Sequence, residues 1–259
     1  MGEVITLLGA DDPAPFQLHR AHGTSPLVLV ADHAGQAIPR RLGDLGLSQA
    51  ERDRHIGWDI GIAGVTERLS EILDAFAILQ TYSRLVIDCN RPLSVEGSIV
   101  ASSDGTPVPA NQDISEDEKV ARALEIFAPY HARITQQLDL RSVGPQAPVL
   151  IAMHSFTPVF GGVARPWHAG VLYHRDTRLA HALLAALRAE PGLVVGDNEP
   201  YAISDVSDYA VPVHGEQRGL LHVELEIRQD LIADAQGQHE WAERLARILP
   251  QLLPDLTHS

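Results

Sequence analysis

The sequence predicts a single α/β domain with a mixed, mostly parallel central sheet and helices on both of its faces. Short apolar runs rich in Val, Ile and Leu alternate with longer amphipathic stretches, and this alternation is typical of a sheet covered by helices. The 259 residues, 45% of them hydrophobic, can bury one large core, and no change in composition marks a linker. We therefore expect one domain that spans residues 1–259.

Seven segments are predicted as strands because they are short, apolar and bounded by turn-forming residues. They are residues 27–32, 77–82, 84–89, 149–154, 169–174, 193–196 and 221–227. Residues 1–24 resemble a loose strand that leads into this sheet, and residues 91–113 have the Pro, Gly, Ser and Asn content of a long loop. Loops of this length in compact domains are usually functional or disordered.

Four segments have the periodicity of helices. Ile60 to Leu73 repeats apolar residues at helical spacing behind Asp59, which has the chemistry of an N-cap. Ser115 to about Leu138 opens with a Ser-Glu-Asp-Glu capping box. Asp176 to Arg188 and Glu240 to Leu253 are rich in Ala and Leu, with basic residues toward their ends.

Composition and charge exclude several classes of partner. A formal net charge of −14 at pH 7 argues against a nucleic-acid partner, since such proteins need a concentrated basic face. A lone cysteine, Cys89, rules out an internal disulfide framework and favours a reducing compartment, by default the cytoplasm. No signal-like segment opens the chain, and no apolar run approaches the roughly 20 residues that a membrane span needs. The oligomeric state stays open.

Two apolar runs each deliver a histidine at the carboxyl end. Leu27 to Ala31 leads into Asp32-His33-Ala34-Gly35, and Val149 to Ala152 leads into Met153-His154-Ser155-Phe156. Open α/β sheets usually build their sites at these strand ends. One such histidine is more often a hydrogen-bonded structural group, but two in equivalent settings make metal binding as good an interpretation. Catalytic zinc takes three nitrogen or oxygen ligands and keeps a fourth position open.

A third ligand is then required, and four residues near the predicted cleft have the right chemistry. These are Asp32, His55, Asp59 and Asp88. We favour Asp59, although a role as the N-cap of the following helix explains it equally well.

The predicted strand at 84–89 carries charge on one face. Alternation places Arg84, Val86, Asp88 and Asn90 on the same side. Either a buried ion pair explains this face, or arginine forks bind a substrate carboxylate there, with Arg84 and Arg91 as the two candidates.

The last predicted strand alternates polar and apolar side chains, so that His222, Glu224, Glu226 and Arg228 share a face. Solvation of an edge strand is the ordinary explanation. If the strand instead borders the cleft, Glu226 is placed to act as a general base, and His214 on the preceding loop could stabilise an oxyanion. Cys89 is better explained by packing than as a nucleophile, and Ser155 lacks the Gly-x-Ser-x-Gly elbow of a serine hydrolase.

An ordered set of these residues resembles a known family. The set comprises Asp32-His33-Ala34-Gly35 with Ile38-Pro39, Asp59, Tyr82-Ser83-Arg84 with Asp88, Asn90 and Arg91, His154-Ser155, His214 and Glu226. With this set the chain resembles the N-formylglutamate amidohydrolase family, metal-dependent hydrolases related in fold to the zinc carboxypeptidases. The resemblance implies a zinc-carboxypeptidase-like α/β fold.

The resemblance implies one zinc ion held by His33, His154 and an acidic ligand, for which Asp59 matches best. In the carboxypeptidase pattern a glutamate ligand lies three residues after the first histidine, whereas this chain has Gln36 there. The third ligand therefore stays open between the candidates given above.

The resemblance also implies roles for the polar residues around the metal. Glu226 would be the catalytic base with His214 beside it, while Arg84, Arg91 and Asn90 would bind or support the substrate. We expect hydrolysis of the amide of an N-formyl or other N-acyl amino acid such as N-formyl-L-glutamate. A small-substrate zinc carboxypeptidase or another N-acyl amino acid deacylase is the first alternative, and a non-catalytic carboxylate-binding domain is the second.

The segment after the predicted strand at 193–196 is less informative. Asn198, Glu199 and Tyr201 either line the substrate pocket or form a turn.

Overall fold

A mixed seven-stranded sheet forms the centre of the computed structural model, which describes residues 6–257. The strands are β1 Phe16–His19, β2 Leu27–Ala31, β3 Phe76–Gln80, β4 Ser102–Ser103, β5 Thr106–Pro107, β6 Val149–Phe156, β7 Val159–Phe160, β8 Val163–Ala164, β9 Ala169–Leu172, β10 Val195–Asp197 and β11 Leu221–Arg228. The order across the sheet is β1-β3-β2-β6-β11-β9-β10, while β4-β5 and β7-β8 form small separate hairpins.

The middle of the sheet is parallel. Strands β3, β2, β6 and β11 run in one direction, whereas β1 is antiparallel to β3 and β9 is antiparallel to β11. The predicted fold class, an α/β domain with a mixed and mostly parallel sheet, is confirmed. Because parallel strands end at the same edge, the carboxyl ends of β2, β6 and β11 bring their side chains together.

Helices cover both faces of the sheet, as predicted. They are α1 Gln49–Arg52, α2 Ile62–Leu73, α3 Glu116–Arg122, α4 Ala128–Ser142, α5 Arg178–Arg188 and α6 Ala235–Thr257. On one face α2, α5 and α6 close a core with the outward residues of the strands, and on the other face α3 and α4 do so. A π-helical segment, Ala123–Phe127, joins α3 to α4, so the predicted helix from Ser115 is continuous and begins with the expected capping box.

The prediction of a strand at 84–89 is wrong. After β3 the Gln80 side chain accepts hydrogen bonds from the backbone N–H groups of Thr81 and Tyr82, which ends the strand, and the following residues form turns. The apolar residues of this segment are buried because they join the core on the face of the sheet that α3 and α4 cover. Apolar periodicity reports burial and does not distinguish a strand from a buried loop.

The prediction that Asp59 caps α2 is also wrong. The N-cap is Gly61, which has a positive φ of 84° and makes no side-chain cap. A side chain at Gly61 would meet the carbonyl oxygen of Ile232 at 2.1 Å, so the close approach of α6's leading loop requires glycine. The Asp59 carboxylate is thereby free for other contacts.

The long loop at 91–113 is ordered by its own contacts. It contains the β4-β5 hairpin, and Asn111 Nδ2 donates to the carbonyl oxygens of Leu85 and Val100. Within residues 6–257, no helix combines the length and the apolar character needed to cross a membrane.

Candidate active site

A cavity of about 540 Å³ opens at the carboxyl edge of the parallel strands. His33 follows β2, His154 lies in β6, and Glu226 in β11 is the register partner of His154. All three side chains line the cavity, and together with Asp59 they are at most 5% exposed. The two strand-end histidines and the glutamate predicted from alternation therefore meet in one site.

His33, Asp59 and His154 form a compact group of potential metal ligands, with one donor atom from each inside a span of 4.8 Å. His154 Nδ1 lies 3.0 Å from Asp59 Oδ2, and His33 Nδ1 lies 3.6 Å from the same oxygen. Asp59 is held in place by the backbone N–H of Ser155, which donates to Oδ2 at 3.1 Å. Of the four candidates for a third ligand, Asp59 is the one that reaches both histidines.

The outer nitrogen of His33 is occupied by a second carboxylate. His33 Nε2 lies 2.7 Å from Asp88 Oδ1, and Arg84 donates to Asp88 Oδ2 through Nε at 3.1 Å and Nη2 at 2.6 Å. Despite burial, the charge of Arg84 and the hydrogen bond from His33 hold the pKa of Asp88 well below its usual value. An ionised Asp88 accepts the proton of Nε2, which leaves a lone pair on Nδ1 directed at Asp59 and His154.

Asp32 occupies the corresponding position behind His154. Its carboxylate is fully buried, and His154 Nε2 lies 3.4 Å from Oδ2. Although burial disfavours the charged imidazolium, the carboxylates of Glu224, Asp32 and Asp59 hold the pKa of His154 well above its usual value. The cluster thus carries an excess of buried negative charge that attracts a cation.

The chemistry of these donors fits a divalent metal ion such as zinc. Among the described residues His33 Nδ1 has no hydrogen-bond partner, and neither do the two oxygens of Asp32. Two imidazoles and one carboxylate form a three-ligand set at the cavity. The outer nitrogen of His33 is hydrogen-bonded to Asp88, and that of His154 lies 3.4 Å from Asp32. An unpartnered buried polar atom is costly, and a cation bound by His33 Nδ1 would relieve that cost for this nitrogen.

Two glutamates of β11 face the same cavity. Burial raises the pKa of Glu226 to about 7 and that of Glu224 to about 8. Within the described chain Glu226 Oε2 has no hydrogen-bond partner. A carboxylate with a raised pKa and a free oxygen at a cavity wall is suited to proton transfer.

The two arginines predicted to bind substrate differ in the hydrogen bonds that they already make within the protein. Arg84 is tied to Asp88, and its Nη1 lies 3.8 Å from Asp59 Oδ1. Arg91 lines the cavity, and its nearest carboxylate in residues 6–257 is Asp208, at 3.7 Å without a hydrogen bond. Asn90 also lines the cavity, but its Oδ1 accepts from two backbone N–H groups. Of the two arginines, Arg91 is therefore the one without a hydrogen-bonded carboxylate among the described residues.

Comparison with known proteins decides the family. The chain matches the N-formylglutamate amidohydrolase family over residues 25–233. The chain belongs to this family. It shares 33% identity and a TM-score of 0.92 with the gene product Atu2144 of Agrobacterium tumefaciens, covering 96% of this chain and 98% of that one. It shares 19% identity and a TM-score of 0.74 with N-formylglutamate amidohydrolase of Ralstonia eutropha JMP134, covering 95% and 99%. No curated protein matches the chain.

As a member of the N-formylglutamate amidohydrolase family the chain is an amidohydrolase, but one predicted catalytic residue does not reach its cavity. His214 is 1% exposed in a π-helical turn, is not one of the described residues that line the cavity, and its Nε2 lies 2.9 Å from His131 Nδ1. Burial lowers the pKa of His214 to about 3, so it is neutral. The role of His214 in stabilising an oxyanion stays a prediction, and its ring is buried beside His131.

The other candidates from the sequence are also placed. His55 lines the cavity beside Asp104, Cys89 is buried in the core, and Ser155 Oγ donates to the carbonyl oxygen of Ile60. Tyr201 lines the cavity, whereas Asn198 forms a turn with a positive φ of 50°.

Sequence reasoning missed Asp208 and Glu224 as cavity residues. For Glu224 the signal was present, since it shares a face of β11 with Glu226. Asp208 lies in an irregular loop without a periodic signal.

Proposed function

We propose that this amidohydrolase is a zinc enzyme that hydrolyses the amide of an N-formyl or other N-acyl amino acid, with N-formyl-L-glutamate as the first substrate to test. The observation that carries the proposal is the His33–Asp59–His154 group with Glu226 opposite His154 across the β6-β11 pair. A zinc ion there would polarise the amide carbonyl and lower the pKa of a water molecule.

Glu226 is the proposed proton carrier. Its carboxylate takes a proton from the attacking water and delivers it to the nitrogen of the leaving amine. The raised pKa, about 7, matches a group that must both accept and release a proton near neutrality. Arg84 Nη1 lies 3.8 Å from Asp59 Oδ1, beside the proposed zinc site, and is a second candidate, besides His214, to stabilise the oxyanion.

Arg91 is the proposed anchor for the free carboxylate of the amino acid. Its guanidinium offers a fork of donors that matches a carboxylate, and it has no hydrogen-bonded acid among the described residues to compete. Asn90 Nδ2, 3.5 Å from Glu224 Oε2, supports the same end of the cavity. We keep the cytoplasm as the predicted location and a small molecule as the predicted partner.

The test is release of free amine from N-formyl-L-glutamate and from other N-acyl amino acids by zinc-reconstituted protein, with and without chelator. We expect turnover that chelator abolishes and zinc restores. Arg91→Lys should raise KM by about tenfold, because a point charge replaces the bidentate fork. Cleavage of carboxy-terminal peptide bonds in preference to N-acyl amino acids would favour a carboxypeptidase. No turnover of any amide, together with no zinc, would leave a non-catalytic domain.

A further inference from the structure

The cavity is larger and more apolar at one end than an N-formyl group requires. Its volume, about 540 Å³, lies in the range of pockets that enclose drug-sized ligands. The rings of Phe156, Phe160 and Tyr201 line this end, and we call these three residues the aromatic wall. A formyl group, with one carbon and one oxygen, would leave the aromatic wall uncovered.

A single arginine, Arg165, contacts all three rings of the aromatic wall. The Arg165 guanidinium carbon lies 4.8 Å from the ring centroids of Phe160 and Tyr201 and 5.8 Å from that of Phe156. Arg165 Nη1 also donates to the hydroxyl of Tyr201 at 2.9 Å. A cation shared by three rings holds them in a fixed arrangement.

Two of the three rings are exposed to solvent although all three contact Arg165. Phe160 is 45% exposed and Tyr201 43% exposed, although Phe156 beside them is buried. Solvent-facing aromatic rings that border a cavity are typical of a surface that a ligand covers.

The strand register places the aromatic wall on the far side of the reaction centre from the carboxylate anchor. Glu226 pairs with His154, while Phe156 lies two residues further along β6. Asn90, next to Arg91, contacts Glu224, which lies two residues before Glu226. Two residues of strand span roughly 7 Å, so anchor, reacting amide and aromatic wall follow one another along the strand direction.

We propose that the aromatic wall is a subsite for the acyl group, and that the preferred substrates are N-acyl amino acids whose acyl group is apolar and larger than formyl, such as an aryl group. This rests on the proposed function, since it assumes that the amino acid carboxylate is bound at Arg91. With that end anchored, the acyl carbonyl lies at the His33–Asp59–His154 group and its substituent extends to the rings.

Binding is measured separately from turnover. The dissociation constants of N-formyl-L-glutamate, N-benzoyl-L-glutamate and N-formyl-L-phenylalanine are determined by calorimetry on the zinc-loaded Glu226→Gln protein. We expect N-benzoyl-L-glutamate to bind at least about tenfold more tightly than N-formyl-L-glutamate, the order expected for covering an aryl ring.

The Phe160→Ala and Tyr201→Ala changes should each reduce that ratio by about threefold or more. Val159→Ala is the matched control, because Val159 lies on the same β7-β8 hairpin but pairs with Ala164, is 50% exposed and is not one of the described residues lining the cavity. It should keep the ratio of the parent protein.

Equal affinities for the formyl and benzoyl compounds, or no measurable binding of either, would overturn the subsite. So would a ratio that Phe160→Ala does not change, or a preference confined to N-formyl-L-phenylalanine, which would place a side chain against the rings. Failure of the proposed hydrolysis has a different signature, namely no chelator-sensitive turnover by the zinc-loaded parent protein. Binding that depends on Phe160 would then still support the subsite.

Discussion

Two groups of side chains in this protein have the spacing of metal ligands, and they differ in what already neutralises them. His33, Asp59 and His154 are buried, whereas in His174, Asp205 and Glu216 the aspartate is exposed. In the second group Arg175 donates to both carboxylates. In the first group the arginine, Arg84, donates to Asp88 behind His33.

The comparison shows that donor spacing alone does not define a metal site. An arginine placed between two carboxylates satisfies their charge and their lone pairs, so a cation would have to displace it. Arg84, in contrast, binds the carboxylate that orients the His33 imidazole and does not donate to the proposed metal ligands. We therefore expect zinc at the His33 group and not at the His174 group.

Removal of a metal ligand should cause loss of the metal itself. His154→Ala removes one of three ligands and should reduce zinc from about one ion per chain to below about 0.1, with loss of turnover. His174→Ala should leave zinc and turnover at the parent level. Atomic emission spectroscopy gives the zinc content of both variants. Full zinc content in His154→Ala, or loss of zinc in His174→Ala, would reverse the comparison.

The next effect separates chemistry from metal retention. Glu226→Gln removes the proton carrier and should reduce kcat by about 10² to 10⁴, while zinc content stays near one. Glu216→Gln, a carboxylate bound by Arg175, is the control and should retain kcat. Steady-state rates on the zinc-loaded proteins give the answer, and parent-like turnover by Glu226→Gln would remove Glu226 from the mechanism.

A smaller effect on zinc binding is expected from Asp88, which contacts the ligand His33 and is not itself a proposed ligand. Asp88→Asn cannot accept a proton from His33 with the same strength and releases Arg84, so zinc affinity should fall by about 10- to 100-fold. Asp205→Asn should not change zinc affinity, because the Asp205 carboxylate forms an ion pair with Arg175. Competition with a chromogenic chelator measures the affinity. Unchanged affinity in Asp88→Asn would mean that the His33 tautomer does not depend on Asp88.

The smallest effect concerns pH. Glu226 must be ionised to accept a proton, so kcat/KM should fall as pH decreases through its pKa, which burial raises to about 7. Burial acts in the same direction on Glu216, but Arg175 outweighs it and holds the pKa of Glu216 below its usual value. The pH profile of kcat/KM should therefore decrease on the acidic side with an apparent pKa of about 7. Glu216→Gln should show the same decrease. A flat profile between pH 5 and pH 8 would contradict this.

Much of the site could be predicted because it lies on regular elements. His33 and His154 follow buried apolar runs whose carboxyl ends lie at the same edge of a parallel sheet. The alternation of β11 places Glu226 on the face of the sheet that carries His154. These residues needed only strand direction and strand period, which are visible in sequence.

The remaining parts depend on contacts between segments without a period. The buried loop at 84–89 has the apolar content of a strand, and nothing local shows that Gln80 ends β3. The outer carboxylates could not be assigned, since sequence does not reveal which imidazole nitrogen faces the cavity. The aromatic wall combines two neighbouring phenylalanines, in β6 and in the β7-β8 hairpin, with Tyr201, which lies in a loop far from them in the chain.

Zinc binding at the His33 group can be tested with a crystal structure of the protein grown with zinc, with anomalous diffraction collected on both sides of the zinc absorption edge. We predict one strong anomalous peak between His33 Nδ1, Asp59 Oδ2 and His154 Nδ1, with ligand distances of about 2.0–2.2 Å. A peak at His174, Asp205 and Glu216, or no peak at the buried group, would contradict it.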